Sequence, residues 1–183
     1  MSRLSFLPVL VLAACSQTTY FAPPPVTSTL NVNARAATAM VNEVSMPEYA
    51  INQEIPVERA DGGLVTDTGR LWADLPDRAL QVALARHLNS ITDAAVAIEP
   101  WPLSGFPEVE ISVVVEDMIV RADGTVAFRG YYALRDETSR RGRIETFDLS
   151  APVPGDDPGS YPAIIAAHEA VWLQLAEQLA RAI

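Results

Sequence analysis

The clearest periodicity in the chain lies between positions 71 and 91. In "LWADLPDRALQVALARHLNSI" the residues Leu80, Leu84, Leu88 and Ile91 recur every three or four positions, which places them on one face of an α-helix. Asp74 is the predicted N-cap, and Pro76 falls in the first turn, where a missing N–H does no harm. A second helical stripe closes the chain. Ser160 and Pro162 open it, and Ile164, His168, Val171, Leu175 and Ala182 lie opposite Glu177, Gln178 and Arg181.

Between these helices the pattern changes. "EVEISVVVEDMIV" is Val-rich and strand-like, and Asp123-Gly124 after it is a strong hairpin signal. The return strand, "TVAFRGYYALR", alternates Val126, Phe128, Tyr132 and Leu134 on one face with Arg129, Tyr131 and Arg135 on the other. A polar loop then leads to "RIETFDL", so these segments read as an antiparallel meander. Upstream, residues 30–57 are β-leaning but broken, with "MVNEVSMPEY" the best strand. "ADGGLV" marks a tight turn, and "EPWPLSGFP" a proline-stiffened connector. Two helices and about five strands predict an α+β, two-layer fold. Its antiparallel-rich sheet should carry both amphipathic helices on one face.

The N-terminus follows a different logic. Arg3, the apolar run Leu4 to Leu12 and the small residues Ala13 and Ala14 precede Cys15, the only cysteine. That is the layout of a bacterial secretory signal. Its "LAAC" ending resembles the lipobox of bacterial lipoproteins, in which the chain is cut before the cysteine and the sulfur is acylated. The alternative is an ordinary signal with a chance cysteine or a buried thiol. In lipoproteins of Gram-negative cells, Ser16 after the cysteine implies export to the outer membrane. "SQTTYFAPPPVTST" reads as a semi-rigid spacer with no core to join. The predicted organisation is therefore a signal peptide over 1–14, a Pro/Thr-rich tether over 15–27 and one globular domain over 28–183.

Charge and composition narrow the partners. The chain has 183 residues, a formal net charge of −10, and only arginine among its 13 basic residues. Nucleic acid and anionic head groups are poor electrostatic partners for it. One cysteine excludes an intramolecular disulfide, a Cys-based zinc site and a CxxC pair. No stretch approaches the roughly 18 apolar residues of a spanning helix.

Catalytic patterns are missing: there is no GxSxG, P-loop, GxGxxG or HExxH. His87 and His168 lie on apolar helix stripes and read as packed histidines rather than ligands. Glu116 and Asp117, adjacent on a strand, should point to opposite faces, and Asp156-Asp157 reads as a solvated turn. Arg135, Arg140, Arg141 and Arg143 are nearly neutralised by Asp136, Glu137 and Glu145, as in an ordinary polar hairpin. No catalytic, cofactor or metal site is expected. Trp72 has two readings: it packs back over the helix start, or it is an exposed partner anchor beside Arg78. Arg129 and Tyr131, on the polar face of the return strand, complete the candidate partner contacts.

Taken in order, "VSMPEYA", "LWADLPDRALQVALARHL", "EPWP", the Val-rich strand, the DG turn and "FRGYYALRD" resemble the ABC-type transport auxiliary lipoproteins, or PqiC-like family. The most specific pieces are Pro47 to Tyr49 and Trp72-Ala73. The resemblance implies a periplasm-facing domain anchored at the outer membrane, with no cofactor beyond a covalent lipid on Cys15. It also implies partners, an inner-membrane ABC transporter and MCE-domain proteins, in a system that moves lipids or other hydrophobic molecules and supports envelope integrity. The auxiliary subunit would be a non-enzymatic docking component, and self-association stays open. The long "PPPVTSTLNVNARAATAM" region departs from relatives whose first strand starts sooner. Competing readings are a lipid carrier with its own apolar cavity and an envelope hydrolase.

Overall fold

The computed structural model describes residues 17–137, 139, 141–157 and 159–183. The predicted stripes become α1 (Pro76–Ile91) and α2 (Tyr161–Ala182). Leu80, Leu84, Leu88 and Ile91 are at most 1% exposed. Asp74 does not cap α1. Leu75 takes the N-cap place with no side-chain cap bond, while Asp74 accepts from the Leu75 amide and pairs with Arg78 at 2.5 Å. Helix α2 is buried well beyond one stripe, because it packs against both the sheet and α1.

The meander is present as β7 (Val109–Val120), β8 (Thr125–Asp136) and β9 (Arg141–Pro152), all antiparallel. Gly124, at φ 79°, closes the β7–β8 turn with its amide donating to the Arg121 carbonyl. Val126, Phe128, Tyr132 and Leu134 face the helices, as their alternation predicts. A bulge between Val115 and Asp117 then shifts the phase of β7, so that Val115 and Met118 are both buried on the helix side. Opposite that bulge the Val114 carbonyl lies 2.1 Å from where a Cβ on Gly130 would be. No other residue fits there.

The other edge of β7 is parallel. Strand β2 (Thr38–Val41) pairs with both β7 and β6 (Ala95–Ile98). Ser45 bridges to Val114, and β3 (Val57–Glu58) meets Val120, so residues 38–57 run alongside β7. Strand β4 (Leu64–Val65) folds back on β3 around Gly62. The expected strand in "MVNEVSMPEY" is thus shorter, earlier and parallel, and β6 has no counterpart in the sequence reading. Both helices cover one face of the sheet, which makes the fold α+β as expected.

Of the expected tether over 15–27, the described part from Thr19 onward is not free of the core. Within it, β1 (Thr19–Phe21) pairs in parallel with β5 (Arg70–Trp72). Phe21 packs against Tyr161 in the first turn of α2, with ring centroids 5.8 Å apart and the rings tilted by 33°. The chain then runs the length of the helices: Ser28 donates to Glu177, the Val32 amide to the Ile91 carbonyl, and the Arg35 amide to the Ile183 carbonyl. Among the described residues, strand pairing therefore begins at Thr19, ahead of the expected boundary at 28.

Candidate functional site

These contacts give the domain two distinct ends. One end gathers β1, β5, the start of α2 and the β7–β8 turn. The other gathers the end of α2, the start of β7 and β9, and Arg35.

At the first end, Trp72 is 1% exposed and stacks on Trp172 at 5.4 Å, with His168 edge-on at 5.1 Å. It therefore offers no surface to a partner in this conformation. The His168 Nδ1–H donates to the Ile164 carbonyl, and burial lowers its pKa to about 4, so the ring is neutral. His168 Nε2 and both indole nitrogens find no hydrogen-bond partner among the described residues. Ring stacking and burial hold this cluster together rather than polar pairing. Beside it, the fully buried Glu169 accepts from Arg86 at 2.5 Å and from His87 Nε2 at 2.9 Å. Both histidines thus sit inside the helix layer, each with one nitrogen paired.

The Pro47–Tyr49 signature also has a structural cause. The Tyr49 hydroxyl donates to Asp117 at the β7 bulge and accepts from the Met118 amide. Burial, and secondarily the Asp117 hydrogen bond, raise the Tyr49 pKa. Arg121 and Arg129 bind the other oxygen of Asp117. This polar knot pins the loop after β2 to the outer face of the sheet, away from the helices.

The four candidate partner residues are not brought together. Trp72 is beneath the helices, and Arg78 is exposed at the start of α1 and paired with Asp74. Arg129 is tied to Asp117, with Tyr131 half-buried on the same outer face. Cys15 lies outside the described residues, as does Arg140.

The opposite end holds a feature that sequence reasoning passes over. A cleft of about 570 Å³ opens between the end of α2 and the β8–β9 hairpin. Arg35, Arg141 and Arg143 line it together with Ala36, Val109 and Leu134 and the carboxylates of Glu108 and Asp136. Arg143 donates to the Ala182 carbonyl and pairs with Glu145 at 3.4 Å. The guanidinium groups of Arg35 and Arg141 have no carboxylate partner among the described residues. Nearby, Phe106 is 85% exposed two residues before Glu108, and Ile144 is 70% exposed on β9. Edge strand β9 pairs only with β8 here. Exposed aromatic and aliphatic side chains at the same end of the domain as guanidinium groups without carboxylate partners are the composition of a protein-binding surface. Arg35 carries no sequence signal, because only the fold brings "NARAATAM" against Ile183.

Among the described residues no three His, Cys, Asp or Glu side chains converge as metal ligands, and no helix is long and apolar enough to cross a membrane.

No curated protein matches this chain. A crystal structure of an uncharacterized protein superposes with a TM-score of 0.73 at 21% identity, covering 91% of this chain and 98% of the other. A DUF330-family protein from Xanthomonas campestris gives 0.61 at 20% identity, over 88% and 92%. At these identities the likeness shows a shared fold. The model of the ABC-type transport auxiliary lipoprotein component family matches residues 21–180, from β1 to the last turn of α2, and the chain belongs to that family.

Proposed function

We propose that this protein is the docking subunit of an ABC/MCE-type system that carries lipids or other hydrophobic molecules between two membranes. In this reading Cys15 carries the lipid that anchors it to the outer membrane, and the folded domain faces the periplasm. It performs no catalysis and uses no cofactor beyond that lipid. The partner, an MCE-domain protein, binds the end of the domain that carries Arg35, Arg141, Phe106 and Ile144.

The observation that carries docking rather than carriage is the filling of the space between the layers. Trp72, Trp172, Phe128, Leu80, Leu84 and Leu88 are each at most 1% exposed, so side chains occupy the volume a lipid tail would need. The cleft, by contrast, is open and ringed by charge.

The test is co-purification of the non-acylated domain with the MCE-domain protein of the same cell, followed by lipid analysis of the domain alone. A defined complex and an empty domain are expected. A stoichiometric lipid without a complex would favour the carrier. Fatty-acid labelling that is equal in wild type and Cys15→Ser would remove the anchor.

A further inference from the structure

The docked strand β1 fixes how close the domain lies to its anchor and which end is near it. Only four residue steps separate Cys15 from Thr19, a reach of at most about 14 Å. From Thr19 onward the chain is held: the Thr19 amide donates to the Gly69 carbonyl at 2.8 Å, and the Ala73 amide donates to the Phe21 carbonyl at 2.7 Å. A 13-residue flexible spacer would let the domain sit well away from the bilayer, whereas four residue steps keep β1 within that short reach of Cys15.

We infer that the β1–β5 corner is a membrane-contacting surface that stands the domain on the bilayer, with the Arg35–Arg141 cleft turned away from it. This rests on the lipid anchor at Cys15 proposed above. The chemistry of the corner fits a lipid interface. Tyr20, on β1 opposite Leu71, is 58% exposed. Leu75, three residues past β5, is 48% exposed. Ile51 is also exposed, and its segment borders β5 through the Glu54–Leu71 bridge and the Gln53–Trp72 hydrogen bonds. A tyrosine with two aliphatic side chains suits the boundary between head groups and acyl chains. The arginines beside them are matched by carboxylates, Arg70 with Asp67 at 3.5 Å and Arg78 with Asp74 at 2.5 Å. Their pairing limits local repulsion from anionic lipids despite the acidic chain.

Distance to the far end follows from α2. Its first turn holds Tyr161 against Phe21, and its end lines the cleft. Its 22 residues span about 33 Å. A membrane-anchored partner from the opposite membrane would meet the cleft first.

The experiment uses the chain from Cys15 onward, coupled through its only thiol to a maleimide-headgroup lipid in phosphatidylethanolamine/phosphatidylglycerol vesicles. Chemical coupling makes the result independent of acylation in the cell, so its failure is separable from failure of the anchor. Energy transfer to a headgroup acceptor is read from a dye on a non-natural residue at Ala122, in the β7–β8 turn, or at Asn33, near the cleft. The 122 dye is expected nearer the bilayer by about 30 Å, from the helix rise. Equal or reversed distances would overturn the inference. In Thr19→Pro, which removes the amide bonded to Gly69, the difference should collapse. A difference that persists would show that β1 is not the orienting element.

Discussion

The two ends of this domain are built on opposite principles. At the β1–β5 end, Trp72, His168 and Trp172 are at most 1% exposed, and Tyr49, Arg121 and Arg129 all converge on Asp117. At the cleft end, Arg35 and Arg141 are exposed without carboxylate partners among the described residues, and Phe106 and Ile144 face solvent. The first end commits its family-signature residues to stability, whereas the second leaves Arg35 and Arg141 without carboxylate partners among the described residues. The family signatures Pro47–Tyr49 and Trp72–Ala73 belong to the first kind. They mark how the fold is closed, not where a partner sits.

Stability measurements can break this contrast. Trp72→Ala removes the centre of the aromatic stack and should cost roughly 3–5 kcal/mol, read by denaturant unfolding. A loss below about 1 kcal/mol would mean the stack does not brace this end. Gly130→Ala should cost about 1–3 kcal/mol or more, because the added methyl meets the Val114 carbonyl and the Phe147 ring.

Buried His168 sets a pH dependence. Its folded pKa of about 4 lies below the unfolded value of 6.5, so the unfolded chain takes up a proton that the folded chain refuses. Stability is complete above pH 6.5 and falls as pH drops toward 4. The loss from this group between pH 7 and pH 5 should be about 2 kcal/mol. His168→Gln should flatten that part of the melting-versus-pH curve, and an unchanged slope would assign the dependence to other groups.

Tyr49→Phe deletes the hydroxyl bound to Asp117 and should cost about 1 kcal/mol. The smallest effects are expected at the cleft. Arg35→Ala and Arg141→Ala should each change stability by less than about 0.5 kcal/mol, since both side chains are exposed and neither has a carboxylate partner among the described residues. A larger loss at either arginine would erase the distinction between the ends.

What could be read from the sequence follows from length and period. Helix α1 repeats its apolar stripe over 16 residues, and β7–β8 alternate around an Asp-Gly turn, so both are visible without coordinates. Strands β1, β3, β4 and β5 have two or three residues each, too few for any period to register. Their pairing is set by tertiary contacts such as Phe21 on Tyr161. The β7 bulge inverts the alternation locally, which a strict two-residue pattern cannot anticipate. The cleft is half legible. Arg141 and Arg143 stand out, but Asp136, Glu137 and Glu145 make them look like a neutralised hairpin. Only the fold adds Arg35 to them, and it sets Arg141 opposite Asp136 across the β8–β9 pair. The reading of Trp72 as an exposed anchor fails because its indole lies beneath α2, while the reading of both histidines as packed side chains agrees with their burial.

The most direct test of this division is the affinity of the MCE-domain protein for wild type and for Arg35→Glu/Arg141→Glu, measured by calorimetry alongside melting. Binding weakened at least tenfold (about 1.4 kcal/mol) with an unchanged melting temperature is expected. Equal affinity, or weakened binding that merely tracks lost stability, would contradict the cleft end as the docking surface.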